Sequence, residues 1–144
     1  MFRKLTDTVY ASPQIGLDEV AEAGQSGFVL IINNRPEGEA PDQTPGDAIE
    51  AAARAAGMAY VAIPITHAGF SEPQVKAMVD ALATAGDGKV LAYCRSGTRS
   101  TLLWSLAQAS LGADPDDLTA TAAGAGYDLG PIRAMLDILA ARAR

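Results

Sequence analysis

Hydrophobic positions along the chain alternate between two regimes. Three dense apolar runs, "FVLII" at Phe28–Ile32, "AYVAIPI" at Ala59–Ile65 and "KVLAYC" at Lys89–Cys94, each follow a glycine-containing break. Each leads into a loop and then into a helical pattern, and their β-branched content predicts buried strands. A shorter run, "TVYAS" at residues 8–12, predicts an added edge strand. Between the runs, helix signals recur. Thr44-Pro45-Gly46-Asp47 reads as an N-cap, a proline at the first helical position and an early acidic residue, with Ile49, Ala52, Ala53 and Ala56 sharing one face. Ser71-Glu72-Pro73-Gln74 reads as a capping box, and Val75, Met78, Val79 and Leu82 follow at helical spacing. "STLLWSLAQASL", residues 100–111, is apolar on nearly every side, which predicts a helix enclosed by other elements. Asp114 opens another helix. Pro131 opens a last one with Ile132, Met135, Leu136 and Leu139 towards the core.

Strand, loop and helix in this order predict an α/β fold. We expect one domain over residues 1–144, with a mostly parallel central sheet flanked by helices. Ligands of such sheets bind at the carboxyl ends of the strands. Three loops should therefore share one rim: "NNRPEGE" after the first run, "THAGF" after the second and "CRSGTRS" after the third.

Composition narrows the function classes. The formal net charge of −6 opposes binding to nucleic acids and to anionic membrane surfaces, so neither is an expected partner. No apolar run approaches the roughly 18 residues that a spanning helix needs. The N-terminal segment has basic residues but no apolar stretch after them, unlike a secretory signal. The single cysteine forbids an internal disulfide and fits a reducing cytoplasm, the expected location. One cysteine and one histidine cannot make a usual metal ligand set, so we expect no metal and no cofactor.

The one thiol, Cys94, stands in "YCRSGTRS". With Cys94 at a strand end and a helix starting near Arg99, the chain must turn sharply, and Gly97 permits the backbone angles for that turn. The amides of Arg95, Ser96, Gly97 and Thr98 can then face inward as an anion cradle, reinforced by the helix N-terminus. Arg99 supplies a planar two-pronged donor, and Ser100 is placed to donate to the sulfur. The same features favour a thiolate over a thiol. A cysteine at a strand end can also be plain core, but neighbours Arg, Gly, Arg and Ser suit an anion site better than a core. Arg95 is expected to point outward and draw in anions. Arg35 either adds charge to the rim or pairs structurally with Glu37 or Glu39. Trp104 reads as core. "GAGYDLG" at Gly124–Gly130 reads as a turn from which Tyr127 can reach the site.

"YCRSGTRS" resembles the active-site loop of rhodanese-type sulfurtransferases, Cys-x-x-Gly-x-Arg with a serine after it. It is also similar to the phosphate loop of tyrosine and dual-specificity phosphatases, which place five residues between cysteine and arginine where this chain has four. "SPQI", "IINNRPEGE", "GF" before a capped helix, and "AGYDLGP" extend the likeness over nearly the whole chain. Together they resemble a family of small bacterial domains called β-lactamase-hydrolase-like phosphatase domains or sulfur transferases, found also fused to sulfur dioxygenases. The resemblance implies a dual-specificity-phosphatase-like fold with Cys94 as nucleophile and Arg99 as anion binder. It also brings a sulfur dioxygenase into view as a partner.

Two reactions remain. A shorter loop makes a smaller cradle, which suits the single outer atom of a persulfide better than the three oxygens of a phosphoryl group. Cysteine phosphatases resemble one another in using an aspartate to protonate the leaving oxygen, and "ITHAGFSEP", where it is expected, has none. His67, Glu72, Asp42 and Asp128 are the candidate acids. Tyr93 stands where phosphatases usually carry histidine. Sulfur transfer needs no acid. We therefore expect a sulfurtransferase that carries sulfane sulfur as a Cys94 persulfide, with thiosulfate or a small persulfide as donor and an external thiol as acceptor. A phosphatase acting on phosphate esters through a phosphocysteine is the alternative, and a non-catalytic oxyanion-binding module is the third reading.

Overall fold

The order of elements in the computed structural model, which describes residues 2–144, follows the alternation of the sequence. The strands are β1 (Arg3–Lys4), β2 (Val9–Ser12), β3 (Phe28–Asn33), β4 (Ala59–Ala62) and β5 (Lys89–Tyr93). The helices are α1 (Leu17–Gln25), α2 (Gly46–Ala55), α3 (Glu72–Ala85), α4 (Thr98–Ser110), α5 (Pro115–Gly124) and α6 (Arg133–Arg142), with a 3-10 turn at Gly130–Ile132 before α6. The sheet order is β1-β2-β5-β3-β4, and only the β1–β2 pairing is antiparallel. The expected α/β fold with a mostly parallel sheet is therefore present.

The apolar runs are continuous because helices cover both sheet faces. Alternate residues feed two cores. Leu30, Ile32, Val90 and Ala92 face the core of α3, α4 and α6. Ile31, Leu91 and Tyr93 face the core of α1 and α2. After β3 the chain steps outward to β4, then returns across the other face to place β5 between β2 and β3. This reversal opens a crevice at the carboxyl ends of β3 and β5.

Several boundaries differ from the sequence reading. The "TVYAS" strand is not an edge, because β1 pairs outside it. The edge strands are β1 and β4, and β4 ends at Ala62. Ile63 and Ile65 continue as loop, their N–H groups donating to the Asn33 and Asn34 carbonyls. Helix α1 is an element that the sequence pattern does not signal. Its first turn closes through the Gly16 N–H donating to Glu19 Oε1 at 2.8 Å. Pro45, not Thr44, is the N-cap of α2, and no side chain of the cap serves it. A distant group does: the Gly46 N–H donates to Glu37 Oε1 at 2.8 Å. The capping box at Ser71 and the Asp114 cap form as expected. Helix α4 is buried along nearly its whole length, Trp104 included, because the sheet, α3, α5 and α6 surround it. No helix among the described residues is long and apolar enough to cross a membrane.

Candidate active site

Cys94 is the residue after β5 and is fully buried. Its backbone N–H continues the sheet by donating to the Ser12 carbonyl at 3.3 Å, so the sulfur sits on the central strand rather than on a free loop. Four residues later the chain is helical. Gly97 is the N-cap of α4 with φ of 92°, a left-handed angle that strains any residue with a Cβ. That turn swings the Gly97 N–H onto Cys94 Sγ at 3.1 Å. Thr101 Oγ1 donates back to the Gly97 carbonyl at 2.9 Å and locks the first turn. At the outer edge of the loop Ser96 Oγ bonds Thr98 Oγ1, and Arg95 is exposed as expected. The Gly97 amide, not the Ser100 hydroxyl expected from the sequence, donates to the sulfur. Ser100 Oγ is fully buried and has no hydrogen-bond partner among the described residues.

Arg99 is oriented by groups that the sequence does not place near it. Its Nη1 donates to Glu39 Oε2 at 2.8 Å and to the Ile65 carbonyl at 2.7 Å. Its Nη2 donates to Glu39 Oε1 at 2.8 Å. Three of the five guanidinium protons are thus committed. Nε–H and the second Nη2 proton form the remaining edge, and two parallel donors on one edge match two oxygens of a tetrahedral anion. The three rim loops do converge, since Glu39 follows β3, Ile65 follows β4 and Arg99 follows β5. Hydrogen bonds to Glu39 push the Arg99 pKa up further.

Arg35 is 5% exposed and belongs to this anchor. Its Nε donates to Glu39 Oε1 at 2.9 Å and its Nη1 to Gln14 Oε1 at 3.0 Å. Of the two readings of Arg35, the ion pair with Glu39 is the contact formed. Glu37 serves the α2 cap instead. Hydrogen bonds from Arg99, and then from Arg35, hold the Glu39 carboxyl down at about 2 against the opposing effect of its partial burial. Glu39 is therefore an anion at neutral pH and cannot supply a proton.

The candidate acids disperse. Glu72 opens α3 and pairs at the surface with Arg142 of α6 at 2.9 Å. Asp128 accepts the Gly130 N–H at 2.8 Å as a turn residue. Asp42 is exposed within the turn that the Gln43 N–H closes by donating to the Ala40 carbonyl at 3.2 Å. No side-chain hydrogen bond or ion pair among the described residues ties Asp42, Glu72 or Asp128 to Cys94 or Arg99. His67 is exposed two residues beyond Ile65, on the loop that touches Arg99. No cluster of three metal-binding side chains occurs among the described residues. Burial pushes the Tyr93 phenol well above its ordinary pKa, and its side chain lies in the core on the α1 and α2 side.

Glu39 and Gln14 are the residues that sequence reading missed as parts of the site. The spacing Arg35–Glu39 signals only a local pair. Nothing periodic links Glu39 to an arginine 60 positions later.

The Glu39 anchor makes a prediction about pH. Its folded pKa of about 2 lies below the ordinary 4.5, so its stabilisation is complete above about pH 4.5 and is lost as pH falls towards 2. Thermal midpoints of the wild type and Glu39→Gln should differ at neutral pH and converge across that interval. A gap that stays constant down to the acid end would remove the anchor from the stability of the fold.

The family model for the phosphatase-like domain of β-lactamase hydrolase-like protein matches residues 1–111. A β-lactamase hydrolase-like protein of Xylella fastidiosa is 37% identical over 127 residues, which is 88% of this chain and 29% of that protein. The chain thus spans less than a third of that relative. Among solved structures, a candidate phosphatase of Neisseria meningitidis superposes with a TM-score of 0.82 at 32% identity, covering 96% of this chain and 97% of that one. PTPMT1 in complex with PI(5)P superposes with a TM-score of 0.75 at 13% identity, covering 99% of both chains, and shows a shared fold.

Proposed function

This chain belongs to the phosphatase-like domain family of β-lactamase hydrolase-like proteins, and we propose that in it Cys94 carries a transferable group, sulfane sulfur before phosphoryl. One observation carries the preference: Glu39, the carboxylate bonded to Arg99, is held as an anion by two arginines, and among the described residues no other carboxylate is hydrogen-bonded to Cys94 or Arg99. A reaction whose leaving group needs protonation is poorly served by such a site. A reaction with a good leaving group is not.

With thiosulfate, the Cys94 thiolate attacks the outer sulfur. The S–S bond of thiosulfate breaks, sulfite departs with the electron pair, and Cys94 becomes a persulfide anion. The Gly97 N–H supports the sulfur charge, and the free edge of Arg99 holds the sulfonate oxygens. A thiolate acceptor, or cyanide in the assay, then takes the outer sulfur and restores the thiolate. A sulfur dioxygenase consuming the resulting small persulfide is the partner activity that this product implies.

The phosphatase reading is supported by the fold shared with PTPMT1 and by the two-donor edge of Arg99, which fits a phosphoryl group as well. Both reactions place a small anion over Cys94, in a unit that we take to be residues 1–144 acting without metal or cofactor in the cytoplasm. A paired assay decides. Thiosulfate with cyanide should give thiocyanate, and thiosulfate alone should add one sulfur to Cys94 by intact mass. Aryl phosphates should be cleaved slowly, and faster as the phenol becomes a better leaving group. Rapid hydrolysis of phosphotyrosine peptides without thiocyanate would replace the sulfur reading by the phosphatase one and turn attention to His67 as acid. Firm sulfate binding without turnover would leave a binding module.

A further inference from the structure

The turn between α5 and α6 reaches the Cys94 loop from behind. Tyr127 is 6% exposed, and its hydroxyl donates to the Ser96 carbonyl at 3.1 Å. The Gly97 N–H, on the other side of the same peptide bond, donates to Cys94 Sγ at 3.1 Å. A trans peptide is planar, and its C=O and N–H point in opposite directions. One cannot be turned without the other. We propose that Tyr127 is a positioning residue whose hydroxyl, by holding the Ser96 carbonyl away from the sulfur, keeps the Gly97 N–H aimed at the Cys94 thiolate.

The alternative orientation explains the need. If this peptide flipped, the Ser96 oxygen would face the sulfur, and a carbonyl dipole would oppose the negative charge that the amide dipole favours. Gly97 gives the backbone freedom to adopt the working orientation but equal freedom to leave it. A hydroxyl bonded to the carbonyl removes that freedom. The packing is matched: a Cβ at Gly97 would collide with the Tyr127 hydroxyl, so the left-handed glycine and the tyrosine occupy complementary space. Tyr127 is itself held. The Arg3 guanidinium lies 5.1 Å from its ring centroid, and Arg3 Nη1 donates to the Ala125 carbonyl at 3.3 Å. Burial pushes the Tyr127 phenol above its ordinary pKa, so the proton it donates is retained. The N-terminal strand β1 and the α5–α6 turn therefore act on the reactive sulfur without touching substrate.

The proposal rests on Cys94 being a working thiolate, and the experiment separates the two. The ultraviolet thiolate band at neutral pH, read as the difference from Cys94→Ser, is measured for the wild type and for Tyr127→Phe, together with the rate of iodoacetamide alkylation. The lone cysteine makes both readings unambiguous. The wild type should show the band. Tyr127→Phe should weaken it and slow alkylation about 3- to 10-fold, the effect expected of one hydrogen bond. A lower kcat with KM little changed should follow in the thiocyanate assay. A wild type without the band overturns the thiolate reading and this proposal with it. A band in the wild type that persists unchanged in Tyr127→Phe overturns the positioning role alone. Phe keeps the ring beneath Arg3. Should that variant still not fold, Arg3→Met at an exposed position loosens the same ring, and an alkylation rate equal to the wild type there overturns the proposal.

Discussion

Replacing Cys94 by serine should reduce thiocyanate formation and aryl phosphate release to the buffer blank while the protein stays folded. Both outcomes follow from the position of the sulfur. Cys94 is fully buried at the carboxyl end of the central strand, and its Sγ accepts a hydrogen bond from the Gly97 amide. A serine oxygen can accept the same bond and is smaller, so the loop should survive. The hydroxyl is a far weaker nucleophile, and among the described residues no base is hydrogen-bonded to residue 94 to activate it. No second cysteine exists to take its place. The measurement is both halves of the paired assay with thermal unfolding of the same preparation. Sulfur transfer that persists in Cys94→Ser at a tenth of the wild-type rate or more, for a folded protein, would refute Cys94 as the carrier.

Arg99→Lys should cost about 10- to 100-fold in turnover, the equivalent of losing one charge-assisted hydrogen bond, and Arg95→Lys should cost far less. The structure sharpens the reason. Arg99 spends Nη1 and Nη2 on Glu39 and on the Ile65 carbonyl and still offers a two-donor edge. An ammonium has three protons at a single point. It can reach Glu39 or the substrate, but it cannot bridge them with planar geometry. Arg95 is exposed, its backbone carbonyl accepts the Gln14 N–H at 3.2 Å, and its side chain makes no hydrogen bond or ion pair among the described residues. Its contribution is long-range attraction, which a lysine supplies as well. Comparing kcat/KM for the two variants under one salt condition tests this. Equal losses would mean that Arg99 serves the Glu39 anchor and not the substrate.

The anchor changes how the charge of the site is counted. Arg35 and Arg99 bring two positive charges to the rim, and Glu39 cancels one of them. What is left is one cation with a fixed direction. Rigid presentation of a donor edge favours recognition by geometry over attraction by charge, and it lowers the entropy lost on binding. Tyr127 does for the loop peptide what Glu39 does for the guanidinium. Each fixes the orientation of a donor whose chemistry is supplied by another residue.

Local chemistry made much of this protein readable in its sequence. The strands Phe28–Asn33 and Lys89–Tyr93 announce themselves as apolar runs because two layers of helices bury both of their faces. Ser71 and Asp114 mark helix starts because a cap is satisfied within three residues. The Cys94–Arg99 turn is legible for the same reason: strand end, left-handed glycine and helix start occur within six positions. What tertiary structure alone decided is every contact whose partners are far apart in sequence. Glu39 meets Arg99 across 60 positions, Tyr127 meets Ser96 across 31, and Glu72, one of the candidate acids, pairs with Arg142 across 70. A side chain's partner is set by which elements the sheet order brings together, and the placement of β5 between β2 and β3 leaves no periodic trace in the residues of the loops. The sequence by itself determined which atoms can react. The packing of distant elements determined which way those atoms point and which of their charges remain free for a substrate.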